Sequence, residues 1–381
     1  MNISIDAQTL CSCLNSGIGR YTKNIINEIL RIHTNSSLEI VLFDFLSRNN
    51  NEHFVKKTLN YVNNINIKKC TWLPLKYYME YPIFSSLMSY NFLLGSYSDV
   101  YHFFNYSVPP NVRGKVITTI YDMVFFKRPE TMEKGNYNMQ KKRLLDSAKR
   151  ADVIVTTSIN SQIEICEYLN ILPNKIFVTY CAVDQDLFFP RSYSKKVMKK
   201  YSIQGNYILY TGTLEPRKNI VALLKAYKIF AQKNPEISLV LAGSKGWLYD
   251  DIFNTVRDLK ILNKVIFTGF VQDDDMPFLY SEASAFIFPS LYEGFGMPPL
   301  EAMACGTPVI VSNTSSLPEV VGDAGIFVNP LDIENIAFEM DRLSNNTSLQ
   351  QEYSKKGLIR SKAFSWEDSA KKIIEIYQSL G

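Results

Sequence analysis

The sequence predicts an α/β protein made of two doubly wound, parallel-sheet domains. Three observations carry that expectation. Short apolar, β-branched runs alternate with helix-patterned segments from one end of the chain to the other, as βαβ units require. The alternation restarts after a polar, proline-marked stretch from Asp184 to Lys200, which reads as a linker. Finally, 381 residues are too many for one ordinary core and suit two domains of roughly 180 residues each.

In the first half the strand candidates are Ile3 to Ala7, Leu38 to Phe45, Ile65 to Lys69, Asp99 to Phe104, Lys115 to Asp122, Asp152 to Ser158 and Lys175 to Tyr180. The second half starts again at "YILYTG" (Tyr207 to Gly212) and continues through "SLVLAGS", "KVIFTGF", "AFIFPS", "PVIVS" and "GIFVNP". Between the first two of these, "NIVALLKAYKIF" sets Ile220, Leu223, Leu224 and Tyr227 on one helical face, a stripe for packing on a sheet. The chain closes with "SWEDSAKKIIEIYQSL", where Ser365 and Asp368 open a helix whose apolar face is Ile373, Ile374 and Tyr377. The expected division is 1–185, 186–364, and a helix at 365–381 that packs back across the domain boundary.

Composition excludes several classes. Forty-one basic against 37 acidic residues leave a formal charge of +4, too small to mark a nucleic-acid binder. Six scattered cysteines without a CxxC pair, and only three histidines, give no zinc site and read as free thiols in a reducing compartment. "MNISIDAQTL" lacks the basic and apolar regions of a secretion signal and reads as a first strand. No run of about 18 apolar residues is present to span a bilayer.

In open α/β sheets, ligands bind beyond the carboxyl ends of strands. Four loops there could carry chemistry. After Gly212, "TLEPRKNI" places Arg217 and Lys218 just before a helix N-terminus, where unpaired N–H groups and the dipole favour an anion. They read either as a diphosphate clamp or as a solvated basic pair on a turn. "SLYEGFGMPPLEAMACGTPVIVS" holds Glu293 in a loop and Glu301 in a helix with prolines in its first turn and Gly306 as its stop. Gly294 and Gly296 let the backbone approach a ligand, and the two carboxylates can accept from sugar hydroxyls; alternatively, Glu293 caps a turn and Glu301 lies on a helix surface. "NSGIGRYTKNI" sets Gly17 and Gly19 before a helix but fails as a dinucleotide fingerprint, because Thr22 stands where the third glycine would be. It reads as a loop approaching a phosphate or sugar, or as a plain turn. "DVYHFFNYSVPP" ends a strand at His102, which either faces a cleft or sits in the core. Two other stretches have bland readings: "DDDMP" (Asp273 to Pro277) resembles a metal-binding DxD but precedes a helix and reads as N-terminal charge and capping, and the aromatic run Thr71 to Ser98 reads as core packing with a lipid-contact alternative.

Together, "YTGTLEPRKNI", "LAGSKGW", "FTGFV", the run from Phe288 to Pro330, "GIGRYT" and "TTSINSQ" resemble the retaining glycosyltransferases of family 4, which have the GT-B fold of two Rossmann-like domains facing a central cleft. Within that family the chain looks most like bacterial mannosyltransferases that build O-antigen or capsule-type polysaccharide. By matching position, the resemblance implies that Arg217 and Lys218 neutralise the nucleotide diphosphate, Glu293 contacts the donor sugar and Glu301 binds the ribose. It also implies that Gly212 and the backbone of Phe295, Gly296 and Met297 approach the sugar phosphate. Phe270 and Val271 would border the base, and Gly17 and Gly19 the acceptor, with His102, Tyr121 and Asp122 on the same side. Two positions depart from the pattern: Tyr121 before Asp122, where many relatives have histidine, and Ala182, where glycine is frequent. Tyrosine hydrogen-bonds a hydroxyl but does not become a cation near neutral pH.

The expected reaction is sugar transfer with retention from a nucleotide diphosphate donor, GDP-mannose favoured, to a hydroxyl of an oligosaccharide or lipid-linked acceptor. Neither a cofactor nor a metal is expected, and no nucleic-acid partner. The expected location is cytoplasmic, with peripheral contact at the inner membrane face. Two other classes fit parts of the sequence: a nicotinamide-dependent oxidoreductase, from the twin α/β domains, and a noncatalytic carbohydrate-binding GT-B protein.

Overall fold

The computed structural model describes every residue except 14–15, 33–36, 49 and 61–64, and excepting also the side chains at 13, 134 and 136. All thirteen strands expected from the sequence are present. In the first sheet they are β1 (Asn2–Asp6), β2 (Ser37–Phe43), β3 (Asn66–Cys70), β4 (Val100–Phe103), β5 (Lys115–Thr119), β6 (Val153–Thr156) and β7 (Ile176–Val178). The second comprises β8 (Tyr207–Thr211), β9 (Ser238–Ala242), β10 (Val265–Gly269), β11 (Ala285–Phe288), β12 (Val309–Ser312) and β13 (Gly325–Val328).

Among the described residues every strand pairing is parallel. Parallel sheets are covered by helices on both faces, which is why these strands read as continuous apolar runs. The order in the first sheet is β3-β2-β1-β4-β5-β6-β7, and in the second β10-β9-β8-β11-β12-β13. Each therefore reverses direction once, between β1 and β4 and between β8 and β11. Such a switch point opens a crevice at the carboxyl ends of its two strands, and ligands bind there.

The chain divides into two compact units, one of residues 1–123, 135–181 and 365–381, the other of residues 124–134 and 182–364. This differs in two places from the boundaries the sequence suggests. Residues 124–134 cluster with the second unit, where the Trp247 indole N–H donates to the Thr131 carbonyl at 2.7 Å. And the stretch read as linker is partly folded: Lys195–Lys200 forms a helix capped by Ser194, because Val197 and Met198 are buried in the second unit. Ala182 is buried and has no positive φ, so the departure from glycine there strains nothing.

The helix Trp366–Ser379 belongs to the first unit. Ser365 caps it by accepting from the Asp368 N–H, as the sequence predicts. Its apolar stripe of Ala370, Ile373, Ile374 and Tyr377 is buried, and its N-terminal end is tied down by Ser369, which donates to the Tyr180 carbonyl at 2.7 Å. At the other end, the Tyr377 hydroxyl lies 2.7 Å from Nδ1 of His102, whose Nε2 lies 3.1 Å from the Thr119 hydroxyl. His102 is 0% exposed and stacks on Phe104 at 4.0 Å. It faces no cleft; the cleft-facing alternative is corrected to a core position, where the ring anchors the helix.

Burial pushes the His102 pKa from 6.5 down to about 3. Between those values the unfolded chain binds a proton that the native state refuses, so stability falls as pH drops below 6.5. The urea midpoint of the wild type should therefore decrease from pH 7 to pH 4.5, and His102→Gln should decrease less over the same interval. Parallel pH profiles for the two proteins would contradict this.

Candidate functional site

The second switch point gathers most of the predicted residues. β8 ends at Thr211, and Gly212 follows with φ +140°. A Cβ on the neighbouring Gly243 would lie 1.9 Å from the Gly212 carbonyl oxygen, so the two strand ends approach as closely as backbones can. The chain then makes a single 3-10 turn, Pro216–Lys218, and enters the helix Ile220–Lys233 through Asn219, whose φ is +59°. The Asn219 amide fixes that entry by donating to the carbonyls of Pro289 and Pro330, at 3.1 and 2.7 Å.

Opposite this turn, the segment after β11 is held by backbone: the Leu291 N–H donates to the Arg217 carbonyl at 2.9 Å. The Glu293 N–H donates to the Ser315 hydroxyl at 2.9 Å, and the Ser316 hydroxyl lies 2.9 and 2.7 Å from the carbonyls of Glu293 and Phe295. Gly296 has φ +114°, and a Cβ there would meet Leu317 at 2.7 Å, so only glycine fits at the mouth of the helix Met297–Ala304. Phe295 is buried edge-on to Phe364.

These two loops bring Arg217, Lys218 and Glu293 into one ion network. Lys218 Nζ donates to Glu293 Oε1 at 2.6 Å, and Arg217 Nη1 donates to Glu293 Oε2 at 3.0 Å. Arg217 also donates to the Tyr292 carbonyl at 3.0 Å, and through Nε and Nη2 to Oε1 of Glu215, at 3.1 and 2.8 Å. The Lys218 ammonium lies 5.1 Å from the Phe288 ring centre. Lys218, Glu293 and Glu215 are all buried. Burial alone would raise the Glu293 carboxyl, but the charges of Lys218 and Arg217 outweigh it and hold the group below the ordinary carboxylate range. Burial and the adjacent Arg217 push Lys218 below its usual range, with Glu293 and Glu215 opposing.

Two cations and two anions thus form a self-neutralised cluster. The basic pair is neither solvated nor an isolated clamp. Glu215 is the member the sequence reading missed; its signal was the acid two residues ahead of Arg217 in "EPRK".

Glu301 is also buried, which removes the helix-surface alternative. It accepts from the Tyr280 hydroxyl at 2.9 Å, and Tyr280 is 2.8 Å from the hydroxyl of Thr211, the residue before Gly212. A hydrogen-bond chain from Glu301 through Tyr280 thus reaches the end of β8, the strand whose following turn carries Arg217 and Lys218. Tyr280, on the helix Met276–Glu282, carried no signal in the sequence. Farther along the sheet, beyond β10, Phe270 is 48% exposed while Val271 is buried. Asp275, last of the acidic run, pairs with Lys200 at 2.6 Å and accepts from Tyr201 at 2.7 Å instead of capping its helix.

Gly17, Gly19, His102, Tyr121 and Asp122 all belong to the first unit. Gly17 and Gly19 lie inside the first turn of the helix Gly17–Ile32, not in a loop ahead of it, with Ser16 accepting from the Gly19 N–H at 3.1 Å. The Tyr121 hydroxyl donates to the Phe104 carbonyl at 3.1 Å and its ring packs edge-on to Tyr21.

A family model described as glycosyl transferases group 1 matches residues 194–360, the span that contains the whole ion network. An O-antigen chain mannosyltransferase B of Escherichia coli is 38% identical over 293 residues, covering 75% of this chain and 76% of that protein. The chain belongs to the group 1 glycosyl transferases. Membership sets aside the nicotinamide-dependent alternative. A serotype-specific mannosyltransferase of Escherichia coli is 32% identical over 283 residues, 72% of this chain but only 35% of its own length. Among solved structures, Anabaena HepE in complex with UDP and glucose superposes with a TM-score of 0.75 at 18% identity, covering 100% of both chains. The fold is GT-B.

Removing one partner from a buried ion pair leaves an uncompensated charge, at a cost of about 3 kcal/mol or more. Glu293→Ala, which strands two cations, should lower stability by about that amount, while Lys218→Met combined with Glu293→Ala should cost less than the sum of the single changes. A urea-unfolding double-mutant cycle measures this directly. Additive effects would mean that the pair is not coupled.

Proposed function

We propose that this protein is a retaining glycosyltransferase of family 4 that moves mannose from GDP-mannose to a hydroxyl of a growing, lipid-linked polysaccharide. The observation that carries the reading is the network of Arg217 with buried Lys218, Glu293 and Glu215 at the end of β8, beside the glycine-lined loop. The names of the relatives, O-antigen and serotype-specific mannosyltransferases, support the sugar and the polymer.

The network's neutrality gives the mechanism its logic. A diphosphate entering beside Gly212 competes with Glu293 for the Lys218 ammonium and the Arg217 guanidinium. Glu293 oxygens given up by the cations become acceptors for hydroxyls of the donor sugar, so phosphate capture and sugar recognition are coupled. Glu215 keeps hold of Arg217 throughout. Glu301 accepts from the ribose while Tyr280 fixes its carboxylate.

As the bond from the anomeric carbon to the phosphate oxygen breaks, negative charge grows on the leaving diphosphate, and fixed cations stabilise that state more than the ground state. The acceptor oxygen bonds to the same face of the anomeric carbon, and its proton passes to a phosphate oxygen of the leaving group. Because Arg217 and Lys218 supply the positive charge, the reaction needs no metal ion. The acceptor's lipid anchor brings the enzyme to the inner membrane face; among the described residues no helix is long and apolar enough to cross a membrane.

A panel of nucleoside diphosphates in a thermal-shift assay, with and without chelator, tests the reading, since a ligand of the native state raises its stability by mass action. Guanosine diphosphate should give the largest rise, unaltered by chelator. Arg217→Ala and Lys218→Ala should each lower turnover of GDP-mannose by about a hundredfold or more. Near-normal turnover in either variant, or no donor hydrolysis by the wild type, would overturn the proposal.

A further inference from the structure

The first unit carries an apolar face at its surface. Residues 81–98, "YPIFSSLMSYNFLLGSYS", include no charged side chain, yet they do not fill a core. The helix Pro82–Leu87 buries none of its residues, and its Ile83 and Leu87 are 63% and 75% exposed. Before it, the helix Leu75–Glu80 buries Tyr78 and leaves Tyr77 outside; after it, Tyr90–Leu94 turns Tyr90, Leu93 and Leu94 inward and leaves Phe92 outside. Trp72, Tyr81 and Tyr97 are exposed as well, which corrects the expectation that the aromatic run is core. These seven are drawn from 23 exposed large hydrophobic side chains among the described residues, so the apolar surface is gathered here and not scattered. A gathered patch marks an interaction surface.

The patch is held in place without a core beneath it. The Asn111 amide donates to the Ser85 carbonyl at 2.9 Å, and rings run in a ladder from Tyr77 to Tyr81 at 5.7 Å and on to Phe84 at 6.5 Å. A helix of six residues is marginal in water alone, so an outer partner would add what the core does not supply.

Cations border this face. Lys76 is exposed next to Tyr77, and Arg113 is exposed next to the Tyr90–Leu94 helix, to which the Asn91 side chain ties its backbone N–H at 2.7 Å. The helix Lys134–Arg150 adjoins through the Arg143–Glu80 pair at 3.0 Å, with Lys142 and Lys149 exposed two turns apart on one side. Among the described residues, Lys76, Arg113, Lys142 and Lys149 have no ion-pair partner. The acids on the same stretches are engaged: Glu80 by Arg143, Asp99 by the Asn2 N–H at 2.8 Å, and Asp146 beside Arg150.

Aromatic rings with polar tips, aliphatic side chains between them and uncompensated cations at the rim match the headgroup layer of a membrane, where tyrosine and tryptophan partition and lysine and arginine meet lipid phosphates. A second copy of the chain fits less well, because a two-fold contact through this face would set the same cations against one another.

We propose that this face docks on an anionic phospholipid bilayer, with Trp72, Tyr77, Tyr81, Ile83 and Leu87 in the headgroup layer and Lys76 and Arg113 on lipid phosphates. The inference rests on the proposed transfer to a lipid-linked acceptor and names the surface through which the enzyme reaches it.

Sedimentation of the full chain with vesicles of phosphatidylglycerol in phosphatidylcholine, and with vesicles of phosphatidylcholine alone, tests it. The wild type should bind the mixed vesicles at least about tenfold more tightly than the neutral ones. Its tryptophan emission should move to shorter wavelength on them, a shift that Trp72→Phe removes. Ile83→Ser with Leu87→Ser should weaken binding to both kinds of vesicle by about tenfold or more. Lys76→Gln with Arg113→Gln should weaken only binding to the mixed vesicles, by about tenfold or more, and added salt should erase its difference from the wild type. The guanosine diphosphate thermal shift should be unchanged in every variant, which verifies folding. Wild-type vesicle affinity in both double variants would overturn the assignment of this face. So would a concentration-dependent dimer, formed without lipid, that Ile83→Ser with Leu87→Ser abolishes, since the patch would then serve a second copy. A wild type that ignores the mixed vesicles but keeps its nucleotide shift would sink this inference and leave the proposed transferase standing; loss of the nucleotide shift in the wild type would sink that instead.

Discussion

Buried charge must be paired, and that constraint organises the second unit around Glu293. Its carboxylate ties Lys218 and Arg217 to a common acceptor, and it reaches across from the loop after β11 to the turn after β8. Everything that positions it is backbone or hydroxyl: the Ser315 and Ser316 contacts, the Leu291 link to Arg217, and a glycine where no side chain fits. A rigid surround of this kind holds polar groups in place before a ligand arrives, which is the condition for stabilising charge that develops during a reaction. Glu215 widens the network from a trio to a balanced quartet, so that neither cation carries its desolvation cost alone.

Much of this was legible in the sequence, for a physical reason. Strands buried on both faces leave continuous β-branched runs, and helices between them leave a 3.6-residue period, so all thirteen strands and the helices at 220–233, 297–304 and 366–379 could be read from pattern. The loop at Glu293 was legible because glycine and proline fix backbone there. What escaped were relations between distant positions that no local pattern encodes. His102 reads as a strand-end residue with either orientation open; its full burial and its hydrogen bonds with Thr119 and with Tyr377, on a helix distant in sequence, decide for the core. Tyr280 serves Glu301 from an unremarkable helix, and the segment 124–134 clusters with the second unit, where the Trp247 indole reaches the Thr131 carbonyl. Gly17 and Gly19 read as residues ahead of a helix but stand inside its first turn, a boundary that the pattern does not mark.

The two sheets share a topology but differ in the chemistry at their switch points. The second carries two cations paired to two carboxylates beside glycines; the first carries the buried carboxylate of Asp6 and the Asn105 amide oxygen, which has no hydrogen-bond partner. One fold thus offers two chemically distinct crevices. Neither depends on the residues that set the strand order, so the loops can vary while the sheets persist.

The closing helix has a consequence for synthesis. Tyr377 and Ser369 complete the packing of a unit whose other strands come from residues 2–178, yet nearly two hundred residues of the second unit intervene. During translation the second sheet emerges and can fold before the first has its final wall. Until residues 366–379 clear the ribosome, His102 and the apolar surface around it lack their cover, and the nascent chain must be shielded there from aggregation.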